Sequence, residues 1–239
     1  MTHNQSCAGE EDSAVGVLRI RAMNPEDIDQ VVGLHLDCFE GHLLVSLGAR
    51  LLRLYYQAML AEPATVALVS EDKQGRIIGF AAGTLAIGVL YSRLLTHDFP
   101  AILLATTPTL VRHPLLCRRV LRALVLRLVN PRVKGAATLS SFAVEPRARG
   151  VGAGTNLFRA FVAEVRTRGG VLLVWGAKAT DDSARPFYAR MARITGAISS
   201  RIAGEHVTYR MAVRDFPPDA GSRRGAAHRE WTVKRPACQ

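Results

Sequence analysis

Apolar positions along this chain switch several times between a spacing of two and a spacing of three to four, and the switches mark its elements. Over 15–23, Val15, Val17 and Ile20 alternate with small or basic residues, which predicts a strand. Asn24, Pro25, Glu26 and Asp27 then supply an N-cap, a proline at the first helical position and acids in the first turn, so a helix is expected to run to about Phe39. A second helix is expected over 41–61, with Leu44, Leu47, Leu51, Leu54 and Tyr55 on one face and Pro63 beyond its end. Strands over 65–70 and 76–85 flank the turn 71–75, and Gly79 and Gly83 in the second predict a bulge or a close backbone approach. The 86–134 segment is mostly helical in pattern and is expected to be divided by Pro108, Pro114 and Pro131. A strand over 137–144 follows, then a helix from Thr155 to about Arg168 with Gly169 and Gly170 as its cap. A short buried strand over 171–175, a helix over 183–193 and a hairpin of 194–200 and 206–213 close the pattern.

The turn between the 137–144 strand and its helix carries the densest chemistry. A strand, a glycine turn and a helix in that order form an anion site, because the first helical amides have no internal partner and the helix dipole adds positive potential there. Gly150, Gly152 and Gly154 permit close backbone approach, and Arg147 and Arg149 add charge. The glycines are spaced two by two, which excludes the dinucleotide fingerprint G-x-G-x-x-G. No lysine follows, which excludes the phosphate loop of nucleotide hydrolases. The pattern that fits is R-x-x-G-x-G, at Arg147, Gly150 and Gly152.

Composition narrows the class. A chain of 239 residues with 49% apolar content is ample for one core with additions. No apolar run reaches the length of a membrane span, and the acids Glu10, Glu11 and Asp12 are not those of a secretory signal. Cys7, Cys38, Cys117 and Cys238 have no metal-binding spacing, so no metal and a reduced, cytoplasmic setting are expected. The net charge of +11 is concentrated: the 85–135 segment carries +7, with Asp98 its one acid, and the 217–239 tail carries +3. The rest of the chain is near neutral. Aromatic residues are sparse in both basic regions, which argues against a specific nucleic-acid partner.

The R-x-x-G-x-G turn resembles the pyrophosphate-binding signature of the GCN5-related N-acetyltransferase (GNAT) superfamily. Asp181, Ala184, Phe187 and Tyr188 resemble the family's N-x-x-A-x-x-F-Y segment, although Ala192 and Arg193 stand where Gly-Phe is frequent. The resemblance covers 15–213. It implies an α/β (α+β) fold with a central mixed, mostly antiparallel sheet, splayed between strands 4 and 5 and with helices on both faces. The 86–134 segment is then a helical insertion between strands 3 and 4, and 1–14 and the basic tail 217–239 are expected to be disordered.

The same resemblance implies acetyl-CoA as acyl donor and an amine acceptor that attacks the thioester directly. The pyrophosphate would sit on Arg147, Arg149, Gly150, Val151, Gly152, Ala153 and Gly154. Backbone amides at Phe142, Ala143 or Val144 would hold the thioester oxygen as its charge grows. Asp181 and Ala184 would complete the cofactor side. Tyr188 would protonate the departing thiolate, and a core tyrosine on an amphipathic helix is the alternative. His35, Asp37, Glu40 and His42 are candidates for the base, each with a solvated or capping residue as the alternative, beside a water chain with no dedicated residue.

The 39–56 run resembles a GNAT subgroup associated with bacterial saccharide biosynthesis, with Leu51 in place of a Phe. This implies an amino-sugar acceptor, with Tyr55 and Tyr56 either lining its pocket or packing their helix. Acetylation of a protein N-terminus or lysine, and non-catalytic acyl-CoA binding, stay open. On 113–130, Arg118, Arg119 and Arg122 share one arc, which fits a lid over the cofactor, a peripheral contact with anionic membrane, or a packed helix with a solvated face.

Overall fold

The computed structural model describes residues 18–118, 120, 136–178, 181, 184–202, 206–216 and 229–231. Among the described residues, eight strands form one sheet. They are β1 (Leu18–Ala22), β2 (Thr65–Glu71), β3 (Ile77–Thr84), β4 (Ala136–Val144), β5 (Leu172–Lys178), β6 (Ile198–Ile202), β7 (His206–Ala212) and β8 (Arg229–Trp231). Their spatial order is β6-β7-β5-β4-β3-β2-β1-β8. Every neighbouring pair is antiparallel except β4 with β5. The tail expected to be disordered contributes β8, which pairs Trp231 with Leu18 on the β1 edge; the free edge of β1 offers the backbone partners that the polar sequence alone did not reveal. The rest of the tail, residues 1–14 and most of the basic arc on 113–130 lie outside the described residues.

Two apolar layers cover the sheet. On one face lie α1 (Ile28–Cys38), α2 (Leu43–Leu47) and α3 (Ala49–Leu60), with α4 (Ile87–Thr96) and α5 (Phe99–Arg112) beside them. On the other lie α6 (Ala153–Thr167) and α7 (Arg185–Thr195). In α6 the apolar positions Leu157, Phe158, Phe161, Val162 and Val165 repeat at helical spacing, and all five are completely buried. Burying side chains of this size contributes about 1.5–3 kcal/mol each. In α3, Leu52, Tyr56 and Met59 do the same work against β3 and α1.

The expected 41–61 helix is broken at Gly48, whose φ of 96° lies outside the helical region and separates α2 from α3. Pro108 was expected to divide a helix and instead sits inside α5. Its missing amide costs one bond, and the hydroxyls of Thr106 and Thr107 bond back to the carbonyls of Ile102 and Leu103, 2.8 and 2.6 Å away. The strand expected over 171–175 extends to Lys178, because β7 pairs with it along its whole length.

One irregularity shapes the centre of the sheet. Ala82 opposes Ser141 and Gly83 opposes Leu139, so Ser140 is an extra residue in β4. Gly83 has to be glycine there: a Cβ would stand 2.3 Å from the Thr138 carbonyl oxygen and 2.7 Å from Cζ of Phe161.

Candidate functional site

The parallel ladder between β4 and β5 holds only three residue pairs, from Ala136 with Leu172 to Thr138 with Val174. Beyond Thr138 the strands diverge, while β4 stays paired to β3 and β5 to β7. This opens a gap edged by the outer half of β4. The Glu145 amide donates to the Ile78 carbonyl at 2.8 Å, so backbone groups at 145, 143 and 141 face β3. By alternation, those of Phe142 and Val144 face the gap. The Val144 carbonyl does so visibly, since it accepts from Nε of Arg149 at 3.0 Å. Ala143, expected among the cofactor-binding residues, instead directs its backbone to β3 and its side chain into the core under α1 and α3.

At the end of β4 a single turn of 3₁₀ helix, Pro146–Ala148, leads into the glycine turn. Gly150 and Gly152 have φ of 82° and 92°, a region costly for any residue with a Cβ. Gly152 is the N-cap of α6. The first bond of that helix runs from the Asn156 amide to the Gly152 carbonyl, so the amides of residues 152 to 155 have no intrahelical acceptor. The Arg149 amide is different: it donates to the Pro146 carbonyl at 3.2 Å and is spent inside the turn. Arg147 and Arg149 are exposed beside the cradle. Val151 is half-buried against the core and Ala153 is buried, which anchors the turn from below.

Aromatic packing ties this cradle to the gap. Phe142 stacks on Phe187 with ring centroids 5.2 Å apart. Gly154 lies under the same pair, and a Cβ on it would stand 3.4 Å from Phe187 and 3.8 Å from Phe142. Tyr188 is buried and its ring lies 6.3 Å from both Phe142 and Tyr209. Burial pushes its phenol above the ordinary range, and the charges of Asp181 and of Tyr209 add to the effect, so the hydroxyl keeps its proton. Asp181 and Ala184 meet each other: the Asp181 carboxylate accepts the Ala184 amide at 3.0 Å, and its carbonyl accepts the Arg185 amide at 3.1 Å. Both bonds lie at the N-terminal end of α7, the helix that carries Tyr188.

Two residues outside the sequence expectation join the site. Nη2 of Arg190 donates to Oγ1 of Thr155 at 3.0 Å, which brings a cation to the first turn of α6. Its guanidinium also lies 6.0 Å from the Phe187 ring centre. Phe187 and Arg190 are three apart on α7, and that spacing was the available signal. Cys38, at the end of α1, has its sulfur 4.0 Å from the Val144 carbonyl oxygen, and burial raises its thiol above the usual value.

The base candidates separate. His35 is buried, with Nδ1 2.7 Å from the Tyr56 hydroxyl, and burial followed by the charge of His42 pushes it down to about 4. Asp37 and Glu40 are exposed, and His42 lies edge-on to Phe39 at 5.3 Å. Tyr55 and Tyr56 are both buried in the helix core rather than lining an open pocket.

An open strand edge beside a glycine cradle with free amides and flanking arginines fits an extended chain ending in a diphosphate, which are the chemical features of coenzyme A. The family model described as acetyltransferase (GNAT) family matches residues 28–192, and the chain belongs to that family. It is an acyl-CoA-dependent N-acyltransferase with acetyl-CoA as donor. No curated protein matches the chain in sequence. Among solved structures it is similar to SsHAT, with a TM-score of 0.57 at 17% identity, covering 83% of this chain and 99% of that one. It is similar to the PaiA N-acetyltransferase of Thermoplasma acidophilum in complex with coenzyme A, at 0.53 and 10% identity, covering 82% and 98%. An acetyltransferase of the GNAT family from Staphylococcus aureus Mu50 gives 0.52 at 9% identity, covering 82% and 99%. At such identities the likeness is one of fold.

Proposed function

We propose that this chain transfers the acetyl group of acetyl-CoA to the primary amine of a small molecule, an amino sugar, by direct attack on the thioester. The observation that carries the transfer reading is the open β4 edge next to a protonated phenol, with the glycine cradle at its end. In this reading the amides of residues 150 to 155 hold the pyrophosphate, and Arg147, Arg149 and Arg190 supply charge around it. The gap-facing amides of Phe142 and Val144 stabilise negative charge on the thioester oxygen. The amine nitrogen bonds to the carbonyl carbon, the carbon–sulfur bond breaks, and Tyr188 gives its proton to the departing sulfur. The acceptor proton leaves to water and Tyr188 regains its own from solvent, while the enclosure of His35 withdraws that imidazole from the role of base.

The amino-sugar assignment rests on the resemblance of the 39–56 run. A thiol-release assay with acetyl-CoA tests it against amino sugars, polyamines, free lysine and peptides with free N-termini. Turnover with amino sugars is expected. Turnover confined to peptides or lysine overturns the acceptor class, and acetyl-CoA binding with no turnover on any amine overturns transfer itself.

A further inference from the structure

Seven of the ten large apolar side chains exposed among the described residues lie between Val89 and Leu115, in the insertion that separates β3 from β4. Most belong to one face of α5. At 3.6 residues per turn, Phe99, Leu103, Thr107, Val111 and Leu104 fall within an arc of about 140°. Leu104 is 70% exposed and Val111 is 75% exposed. No charged residue interrupts the run from Phe99 to Val111, and Arg112 and Arg118 follow it, both exposed. A contiguous apolar face of this kind on a soluble domain marks a surface that meets something.

The face continues into a cleft of about 370 Å³ between α3 and α5. Arg50, Arg53 and Gln57 line it from α3, and Leu104 lines it from α5. Leu104 therefore belongs to both the apolar face and a basic cleft. Arg53 is held by Asp29 at 2.6 Å, so its charge is partly matched, while Arg50 is exposed at the cleft. Apolar side chains flanked by guanidinium groups complement a surface whose interior is hydrocarbon and whose rim is phosphate.

We infer that the exposed face of α5, with the Arg50 and Arg53 cleft beside it, docks on an anionic phospholipid bilayer. Charge selects this occupant over a second copy of the chain. Among the described residues, 99–118 hold Arg112 and Arg118 and no acid, with Arg50 and Arg53 at the adjoining cleft; a two-fold contact would set these like charges against each other, whereas anionic headgroups neutralise them. The contact is interfacial, since no helix among the described residues is long and apolar enough to cross a membrane.

The test is co-sedimentation of the full chain with vesicles of phosphatidylcholine alone or with added phosphatidylglycerol, at low and raised salt. Partitioning about tenfold stronger to the anionic vesicles is expected. The double variant Leu104→Glu, Val111→Glu should lower it by a similar factor. Both positions are exposed and lie outside the acyl-CoA site, so acetyl-CoA binding by the variant reports an intact fold. No binding to anionic vesicles at low salt overturns the proposal. Binding that the double variant leaves unchanged also overturns it, since it would come from scattered charge such as the tail. An oligomer dissolved by the same variant, with no vesicle binding, assigns the face to a second copy and overturns it as well.

Discussion

Nδ1 of His35 on α1 lies 2.7 Å from the hydroxyl oxygen of Tyr56 on α3, and both side chains are closed to solvent. Ser141 on β4 hydrogen-bonds to the same phenol. One hydroxyl therefore ties two helices to the strand that edges the open gap, one residue from the gap-facing Phe142. Tyr56→Phe removes that oxygen while keeping the ring that packs against Phe80 at 5.8 Å. It leaves a buried imidazole nitrogen and a buried serine hydroxyl short of a partner, at a cost of about 1–3 kcal/mol. Urea denaturation measures this; a midpoint equal to that of the parent chain would show that the hydroxyl contributes nothing.

The same histidine predicts an acid limb in the stability profile. Its value in the folded chain is pushed down to about 4 by burial and then by His42, against an ordinary 6.5. The unfolded chain therefore binds more protons between those values, so stability is complete above about pH 6.5 and falls as the pH drops toward 4. The contribution is on the order of 3 kcal/mol. Denaturation at pH 7 and pH 5 should show the parent chain losing stability where His35→Gln loses much less. Equal losses in both would assign the acid limb to other groups.

Gly83 faces the bulge at Ser140, and its place is set by space alone. In Gly83→Ala the new methyl group would meet the Thr138 carbonyl and the Phe161 ring inside van der Waals distance. Neither can withdraw freely, because one is strand backbone and the other is a fully buried ring. A loss of about 2–3 kcal/mol is expected. Thermal unfolding within a degree of the parent chain would contradict the packing described for this bulge.

What the sequence made legible follows from which interactions are local. The glycine turn could be read because positive φ at Gly150 and Gly152 and the free amides of α6 are properties of a short segment. The breadth of the β4–β5 gap was expected only through resemblance, since it depends on β5 pairing with β7 over seven residues and with β4 over three. The break at Gly48, the continuity of α5 through Pro108 and the pairing of β8 with β1 escaped the pattern. Each turns on backbone partners that apolar spacing does not report. Arg190 escaped because its partner Thr155 is thirty-five residues away and on another helix.

The cradle is open to a direct challenge. Gly152→Asp places a side chain at a φ of 92° and a negative charge at the positive end of α6. Affinity for coenzyme A is expected to fall about a hundredfold. Arg190→Ala should weaken it by a factor of about three to ten, and raised salt should shrink that difference. Isothermal titration reads both; affinities unchanged in both variants would move the diphosphate away from this turn.

Tyr188→Phe separates a proton donor from a packing residue. The ring contacts with Phe142, Phe187 and Tyr209 survive the change, so fold and acetyl-CoA affinity should be retained. Turnover should fall by a factor of about 10² to 10⁴, the usual contribution of a positioned acid. The pH profile supplies a readout that packing would not move. Because burial first, and Asp181 and Tyr209 after it, raise the phenol above its ordinary value, it stays protonated as the pH rises. The parent chain should therefore show no alkaline loss of kcat from this group up to about pH 10. A variant with parent-like kcat would leave Tyr188 as an aromatic wall of the gap and pass the proton to water.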